Sequence, residues 1–145
     1  MIYIAGDKHG YKAIQRVEEY LKEKHIEYKN VGVKTENEDV ALEEMIPRVT
    51  SQVVGKEENK GILTCGTGVG VEVGANKFAG IRAVLATSPQ IAQWSVEKDK
   101  CNVLCLVGWD VEKSQVYKIL DAWFGAKYDG SEDRLKMMKV FDSWH

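Results

Sequence analysis

The segment Cys65-Gly66-Thr67-Gly68-Val69-Gly70 places a thiol directly before three glycines at alternate positions. Glycines so spaced let the backbone turn tightly and bring several N–H groups to one point. The apolar run Gly61-Ile62-Leu63-Thr64-Cys65 precedes the loop, and a helical pattern to about Lys77 follows it. The first amides and the dipole of that helix add partial positive charge. Such a cradle suits a phosphate, a carboxylate or a developing enediolate; a plain strand-to-helix turn is the alternative that the residues leave open. Two nucleotide patterns fail. G-x-G-x-x-G counted from Gly66 or Gly68 puts Val71 or Val73 where the last glycine belongs, and no Gly-Lys-Ser/Thr ending is present.

A thiol at the tip of a strand, beside backbone donors, can serve as base or nucleophile because the amides favour its thiolate. Thr67 could hydrogen-bond Cys65. An inert buried cysteine is the competing reading. Asp7 and His9 follow the first apolar run, where a carboxylate or imidazole can orient sugar hydroxyls or move protons. Each is weak evidence alone, since Asp and Gly also serve turns; with the glycine loop they form a constellation.

An alternation of strands and helices positions these residues. Strands are predicted at Met1–Ala5, Ile26–Val33, Gly61–Cys65, Ile81–Ala86 and Asn102–Val107. Helical spacing runs through Lys12–Lys24, Glu38–Val54 (with Pro47 as an irregularity), the stretch after the glycine loop, Pro89–Glu97, Val116–Phe124 and about Asp133–Asp142. This order implies right-handed crossovers and a mostly parallel sheet covered on both faces. Ligands bind outside the carboxyl ends of such strands. That rule selects Gly6–Gly10, Cys65–Gly70 and Ala86–Ser88. No repeat or linker interrupts the chain, so one domain over 1–145 is expected.

Composition narrows the function. A formal charge of −2 disfavours a nucleic-acid partner, and no apolar run approaches a membrane span. The start reads as a strand rather than a signal peptide, which points to the cytoplasm. Three cysteines lack a metal-ligand spacing, and Cys101 and Cys105 read as buried structural thiols. Neither a metal nor a cofactor is expected.

Taken together, these segments resemble the ribose-5-phosphate isomerase B family, which includes the subunits of galactose-6-phosphate isomerase. The resemblance covers nearly the whole chain. It is carried most specifically by Gly61 to Gly70, continuing through Ala75-Asn76-Lys77 to Gly80-Ile81-Arg82-Ala83. Asn102-Val103-Leu104, Asp121-Ala122-Trp123 and Tyr128-Asp129-Gly130 add to it. It implies a Rossmann-like three-layer α/β/α sandwich with a five-stranded, mostly parallel sheet. It also implies a homodimer, often paired into tetramers, with active sites shared between subunits and the C-terminal helix (about 131–145) against the partner. The chemistry implied is cofactor-free interconversion of phosphorylated aldose and ketose through a cis-enediolate. Cys65 matches the base, Thr67 and Asn76 supporting polar positions, and Asp7 the acid near the ring oxygen. Substrate contacts then fall to Lys8, His9, Gly66, Gly68, Val69, Gly70, Asn76, Asn102, Trp109, Arg134 and Lys136.

Departures from the family concentrate at the ligand positions. Its first motif is usually Asp-His-Ala-Gly; here it is Asp7-Lys8-His9-Gly10, and one galactose-6-phosphate isomerase subunit carries Asp-Lys-Ala-Gly. Lys98 stands where the ring-opening histidine belongs and becomes the candidate acid, with a solvated surface lysine as the alternative. Trp109 replaces an arginine, and Glu132-Asp133-Arg134-Leu135-Lys136 replaces an Arg-His-x-x-Arg phosphate clamp. The Asp-Tyr-Pro segment expected before the third strand is missing. Trp and Glu cannot make the bidentate phosphate contact of Arg. Lys8, Lys136 and Arg134 are left to hold phosphate. These changes suggest an altered substrate, such as a tetrose phosphate that needs no ring opening. Trp94 and Trp109 are placed near the pocket rim, as packing or interface residues or, for Trp109, as a wall against the substrate. Glu72 is a further carboxylate, with a surface role as the simpler reading. The alternatives are one subunit of a hetero-oligomeric galactose-6-phosphate-type isomerase, or a non-catalytic sugar-phosphate-binding homologue.

Overall fold

Hydrophobic residues two apart along each strand alternate between two buried layers, which is the pattern of a sheet covered on both sides. The computed structural model describes residues 1–144. Its strands are β1 (Ile2–Gly6), β2 (Tyr28–Asn30), β3 (Lys60–Cys65), β4 (Ala83–Leu85) and β5 (Val103–Val107), and its helices are α1 (Tyr11–Glu23), α2 (Leu42–Val53), α3 (Val69–Ala75), α4 (Pro89–Asp99), α5 (Lys113–Gly125) and α6 (Glu132–Asp142). The five strands are all parallel, in the order β2-β1-β3-β5-β4. Ile62, Leu104 and Leu106 join the layer formed with α1, α4 and α5, while Leu63, Val103 and Cys105 join that formed with α2 and α3. The architecture is the expected Rossmann-like α/β/α sandwich. No helix among the described residues is long and apolar enough to cross a membrane.

Several boundaries differ from expectation, for local reasons. The second helix starts at Leu42 rather than Glu38. The Glu38 carboxylate accepts from the Lys34 amide, and the Asp39 carboxylate accepts from the Lys8 and Val40 amides. Side chains that satisfy nearby amides in this way compete with helix formation. Strand β2 is only three residues long. Hydrogen bonding to β1 nonetheless continues beyond it, from the Val31 amide to the Ile4 carbonyl and from the Val33 amide to the Gly6 carbonyl. Strand β4 is also short, and side chains of α3 close its outer edge. The Asn76 amide donates to the Ala83 carbonyl and accepts from the Ala83 N–H, while Glu72 accepts from the Leu85 N–H. An edge so occupied is not available for pairing with another strand.

The strand order decides what surrounds the glycine loop. Central strand β3 is flanked by β1 and β5, with β4 beyond β5. The segment after β5 therefore stands beside Cys65, and Ala86–Ser88 does not. Ala86 instead shares an apolar cavity of about 210 Å³ with Leu106, Trp109 and Val116.

Candidate active site

Three loops meet at the carboxyl end of the sheet because small residues let their backbones touch. A Cβ on Gly108 would lie 2.4 Å from the His9 carbonyl oxygen and 2.5 Å from that of Cys65, so only glycine fits where the loops after β1, β3 and β5 converge. Backbone bonds fix the junction. The Gly108 amide donates to the Cys65 carbonyl at 2.8 Å, and the Trp109 amide donates to the Gly66 carbonyl at 3.0 Å. On the other side, the buried Thr64 hydroxyl donates to the Gly10 carbonyl at 2.8 Å, and the Asp7 amide donates to the Thr64 carbonyl. A polar side chain inside an apolar strand needs such a partner. Thr64 and Gly108 were not among the residues singled out from the sequence. The signal for Thr64 was a hydroxyl in the otherwise apolar run Gly61–Cys65; Gly108 offered none beyond following a strand.

The candidates Asp7, Lys8, His9, Cys65, Thr67 and Trp109 all lie at this junction. Asp7 is buried and accepts from the Gly10 amide at 2.8 Å, which closes the turn into α1. Cys65 is only 5% exposed, and a Cβ on Gly70 would stand 3.9 Å from its sulfur, so the thiol lies along the entrance to α3. Gly68 has φ +76°, a left-handed conformation that favours glycine, and it turns the chain into that helix. The Thr67 hydroxyl accepts from the Val69 amide at 3.1 Å, so its hydrogen bond goes to the loop backbone rather than to Cys65. Trp109 lies with its ring against Gly66 and meets the His9 ring edge-on, with centroids 5.5 Å apart at 75°. On the far side of this pair a cleft of about 900 Å³ is lined by Lys8, His9, Lys12, Thr35, Asn37 and Trp109 among others. Its lining mixes lysine ammoniums with amide and hydroxyl groups and the carboxylates of Glu36 and Asp110.

Lys98, Asn102, Arg134 and Lys136 lie at the opposite, amino end of the sheet. Helix α4 leads from the end of β4 back to the start of β5, so its last residues sit about 16 Å from the carboxyl tips, the length of a five-residue strand. Lys98 is exposed there and pairs with Asp129 at 3.1 Å. Arg134 donates to the Lys98 carbonyl at 2.6 Å and pairs with Asp99. Lys136 is exposed on the same helix, α6. The Asn102 side chain accepts from the Arg82 amide and donates to the Gly80 carbonyl, and Asn76 is occupied by Ala83. Trp94 faces outward on α4 beside Ile91 and Lys98, away from Trp109. Glu72, in the first turn of α3, holds the edge of β4 at the Leu85 amide. Within one chain Lys98, Asn102, Arg134 and Lys136 do not reach Cys65.

The other two cysteines are as inert as expected. Burial pushes the Cys101 thiol up to about 12 and the Cys105 thiol well above its ordinary value.

Comparison with known proteins agrees with the fold. The ribose/galactose isomerase family model matches residues 2–140. Ribose-5-phosphate isomerase B of Escherichia coli is 42% identical over 93 residues, a match that spans 64% of this chain and 62% of that protein. A crystal structure of the Thermotoga maritima ribose 5-phosphate isomerase superposes with a TM-score of 0.91 at 29% identity, covering 99% of this chain and 97% of that one. Ribose-5-phosphate isomerase B of Mycoplasma genitalium, solved with bound ribulose-5-phosphate, gives 0.85 at 30% identity over 97% of this chain and 95% of that one. The chain belongs to the ribose/galactose isomerase family and is an aldose–ketose isomerase.

Proposed function

We propose that the chain interconverts a phosphorylated aldose and its ketose without a cofactor, with Cys65 as the base. The observation that carries this reading is the thiol at the tip of β3, lying along a glycine-turned loop whose backbone is tied to the two neighbouring strands. In the reaction the Cys65 thiolate removes the proton from the carbon beside the carbonyl. The electrons move to the carbonyl oxygen, and a cis-enediolate forms. The amides of Gly66 to Gly70 stabilise its charge, which preorganised donors do without reorganising during the step. The same thiol returns the proton to the neighbouring carbon. Asp7 orients the sugar near its ring oxygen, and Thr67 holds the loop through the Val69 amide.

Lys98, Asn102, Arg134 and Lys136 take part only if a second subunit presents its amino end to this loop. A homodimer with shared sites, and with α6 near the partner, is therefore part of the proposal. Lys8, in the cleft beside His9, and the partner's Arg134 and Lys136 are the candidates for phosphate. Substrate choice is the open variable, because the Trp109 ring fills space over Gly66 where the family carries an arginine. A tetrose phosphate, which cannot close a stable furanose with its last oxygen phosphorylated, is the candidate that needs no ring opening.

The test is exchange of the substrate's C2 proton with solvent deuterium. Cys65→Ala should abolish exchange while the protein stays folded; undiminished exchange removes Cys65 as base. Rates over tetrose, pentose and hexose phosphates then separate the substrates, and a clear pentose preference excludes the tetrose reading.

A further inference from the structure

A cavity of about 440 Å³ at the amino end of the sheet is lined by four cations, Lys56, Lys60, Arg82 and Lys100, against two carboxylates, Glu57 and Asp142. Both carboxylates are already engaged. Asp142 takes the Arg82 guanidinium through both oxygens at 2.9 and 3.0 Å, and Glu57 pairs with Lys100 at 3.3 Å from a side chain that is 88% exposed. The rest of the Arg82 fork is spent on the Asp99 and Lys100 carbonyls. Lys60 is half-buried at the first position of β3, and its ammonium has no ion-pair or hydrogen-bond partner among the described residues. Burial, with Lys100 and Arg82 nearby, lowers its proton affinity. An incompletely solvated cation among like charges is costly unless an anion accompanies it.

We propose that this cavity binds the phosphoryl group of a small metabolite through the ammoniums of Lys60, Lys100 and Lys56, as a site separate from the Cys65 loop. Phosphoryl is favoured over a carboxylate because it carries close to two charges at neutral pH, matching the cationic excess of the lining. Lysine supplies point charges rather than a planar fork, which suits a tetrahedral group approached from several sides. The volume exceeds that of a free phosphate, so an ester fits as well. Lys100 caps α4 two residues after Lys98, so occupancy bears directly on the segment that carries that candidate acid. The proposal stands whether or not Cys65 is the base.

The experiment is an amide NMR titration of the full chain with inorganic phosphate and, separately, with ribose-5-phosphate, against chloride at equal ionic strength. The amides of Lys56, Lys60 and Gly80 should shift and saturate with a phosphoryl ligand and not with chloride. Lys60→Gln should weaken that response at least tenfold while leaving any response at Gly66–Gly70 unchanged. Response to both ligands identifies the phosphoryl group as sufficient; response to the sugar phosphate alone assigns the cavity to an ester. No saturable shift with either ligand, an equal shift with chloride, or loss of both sets of responses in Lys60→Gln overturns a separate site. The variant's own amide spectrum reports whether it is folded, and Lys100→Gln repeats the test should Lys60→Gln not fold.

Discussion

Replacing Gly66 by alanine isolates the contact between the glycine loop and Trp109. An alanine Cβ at this position would lie 2.4, 2.5 and 2.9 Å from three indole carbons, whereas carbon pairs are most favourable at about 3.5–4.0 Å. The indole must therefore retreat by roughly 1 Å. Gly66 is not in the left-handed region, so its backbone accepts alanine, and the indole supplies all three of the nearest contacts. Overpacking of this kind costs about 1–3 kcal/mol. The Trp109 residue is 53% exposed and can swing outward at the expense of its contact with His9, which places the net loss for Gly66→Ala near about 1–2 kcal/mol. With Trp109→Ala already in place the clash is gone. The same Gly66→Ala change should then stabilise by about 0.4–1 kcal/mol through the unfolded chain. The coupling between the two sites is thus about 1.5–3 kcal/mol, measurable by urea unfolding of the four proteins of a double-mutant cycle. The isomerase rate of Gly66→Ala should fall through KM more than kcat if the displaced ring borders the substrate. A coupling within about 0.5 kcal/mol of zero would refute the placement of Trp109 on the loop.

Other perturbations test the frame around the site. Thr64→Val keeps the shape of a fully buried side chain and leaves the Gly10 carbonyl with only its bond from the Ile14 amide; a loss of about 0.5–1.5 kcal/mol in urea unfolding is expected, with a lower isomerase rate as the Asp7 turn loosens. Arg82→Met removes the fork that joins Asp142 to the end of α4, and hydrogen exchange should then speed up in α6 well before the sheet amides respond. Lys60 binds its proton less tightly than an ordinary lysine, because of burial first and then Lys100 and Arg82; Cys101 and Glu57 act in the opposite sense. The unfolded chain therefore holds that proton to higher pH, so stability should rise as pH climbs from the lowered value towards 10.5, and Lys60→Gln should lose this increment relative to the parent. Mixing Cys65→Ala with Lys98→Met subunits should restore activity that neither variant has alone, up to about a quarter of the parent's, if each site draws on two chains.

The alternation of strands and helices was legible because β1, β3 and β5 are buried runs bounded by glycine or charge, as in Gly61–Cys65, and the longer helices carry an apolar stripe such as Ile14, Val17 and Leu21. What escaped was decided by spatial order or by single hydrogen bonds. Nothing along the chain says that β5 rather than β4 lies beside β3, so Ala86–Ser88 was selected by the carboxyl-end rule and Gly108 was not. The late start of α2 depends on where the Asp39 and Glu38 carboxylates point, and helical periodicity is silent about that. The loop itself was readable from spacing, whereas the separation of Lys98, Asn102 and Arg134 from Cys65 needed the direction of α4. Asn76 and Glu72 read as polar positions on the helix after the loop, and only the structure shows them holding the edge of β4.

Position 109 shows how a fixed reacting end and a variable substrate end can coexist at one residue. The bonds that tie the segment after β5 to the glycine loop use the amides of Gly108 and Trp109 and the carbonyls of Cys65 and Gly66. Any residue other than proline at 109 can make the same bond. Loop geometry, on which the proposed enediolate stabilisation rests, is thus indifferent to the side chain there, whereas the space over Gly66 depends on it entirely. An arginine at this position could reach a phosphate with a planar fork; an indole fills volume and offers an apolar face. On the proposed mechanism, exchange between them alters which sugars fit without touching the loop amides proposed to stabilise the intermediate. It follows that Trp109→Arg should shift the ratio of kcat/KM between pentose and tetrose phosphates while leaving proton exchange dependent on Cys65. An equal effect on every substrate would instead place the indole within the machinery common to all of them.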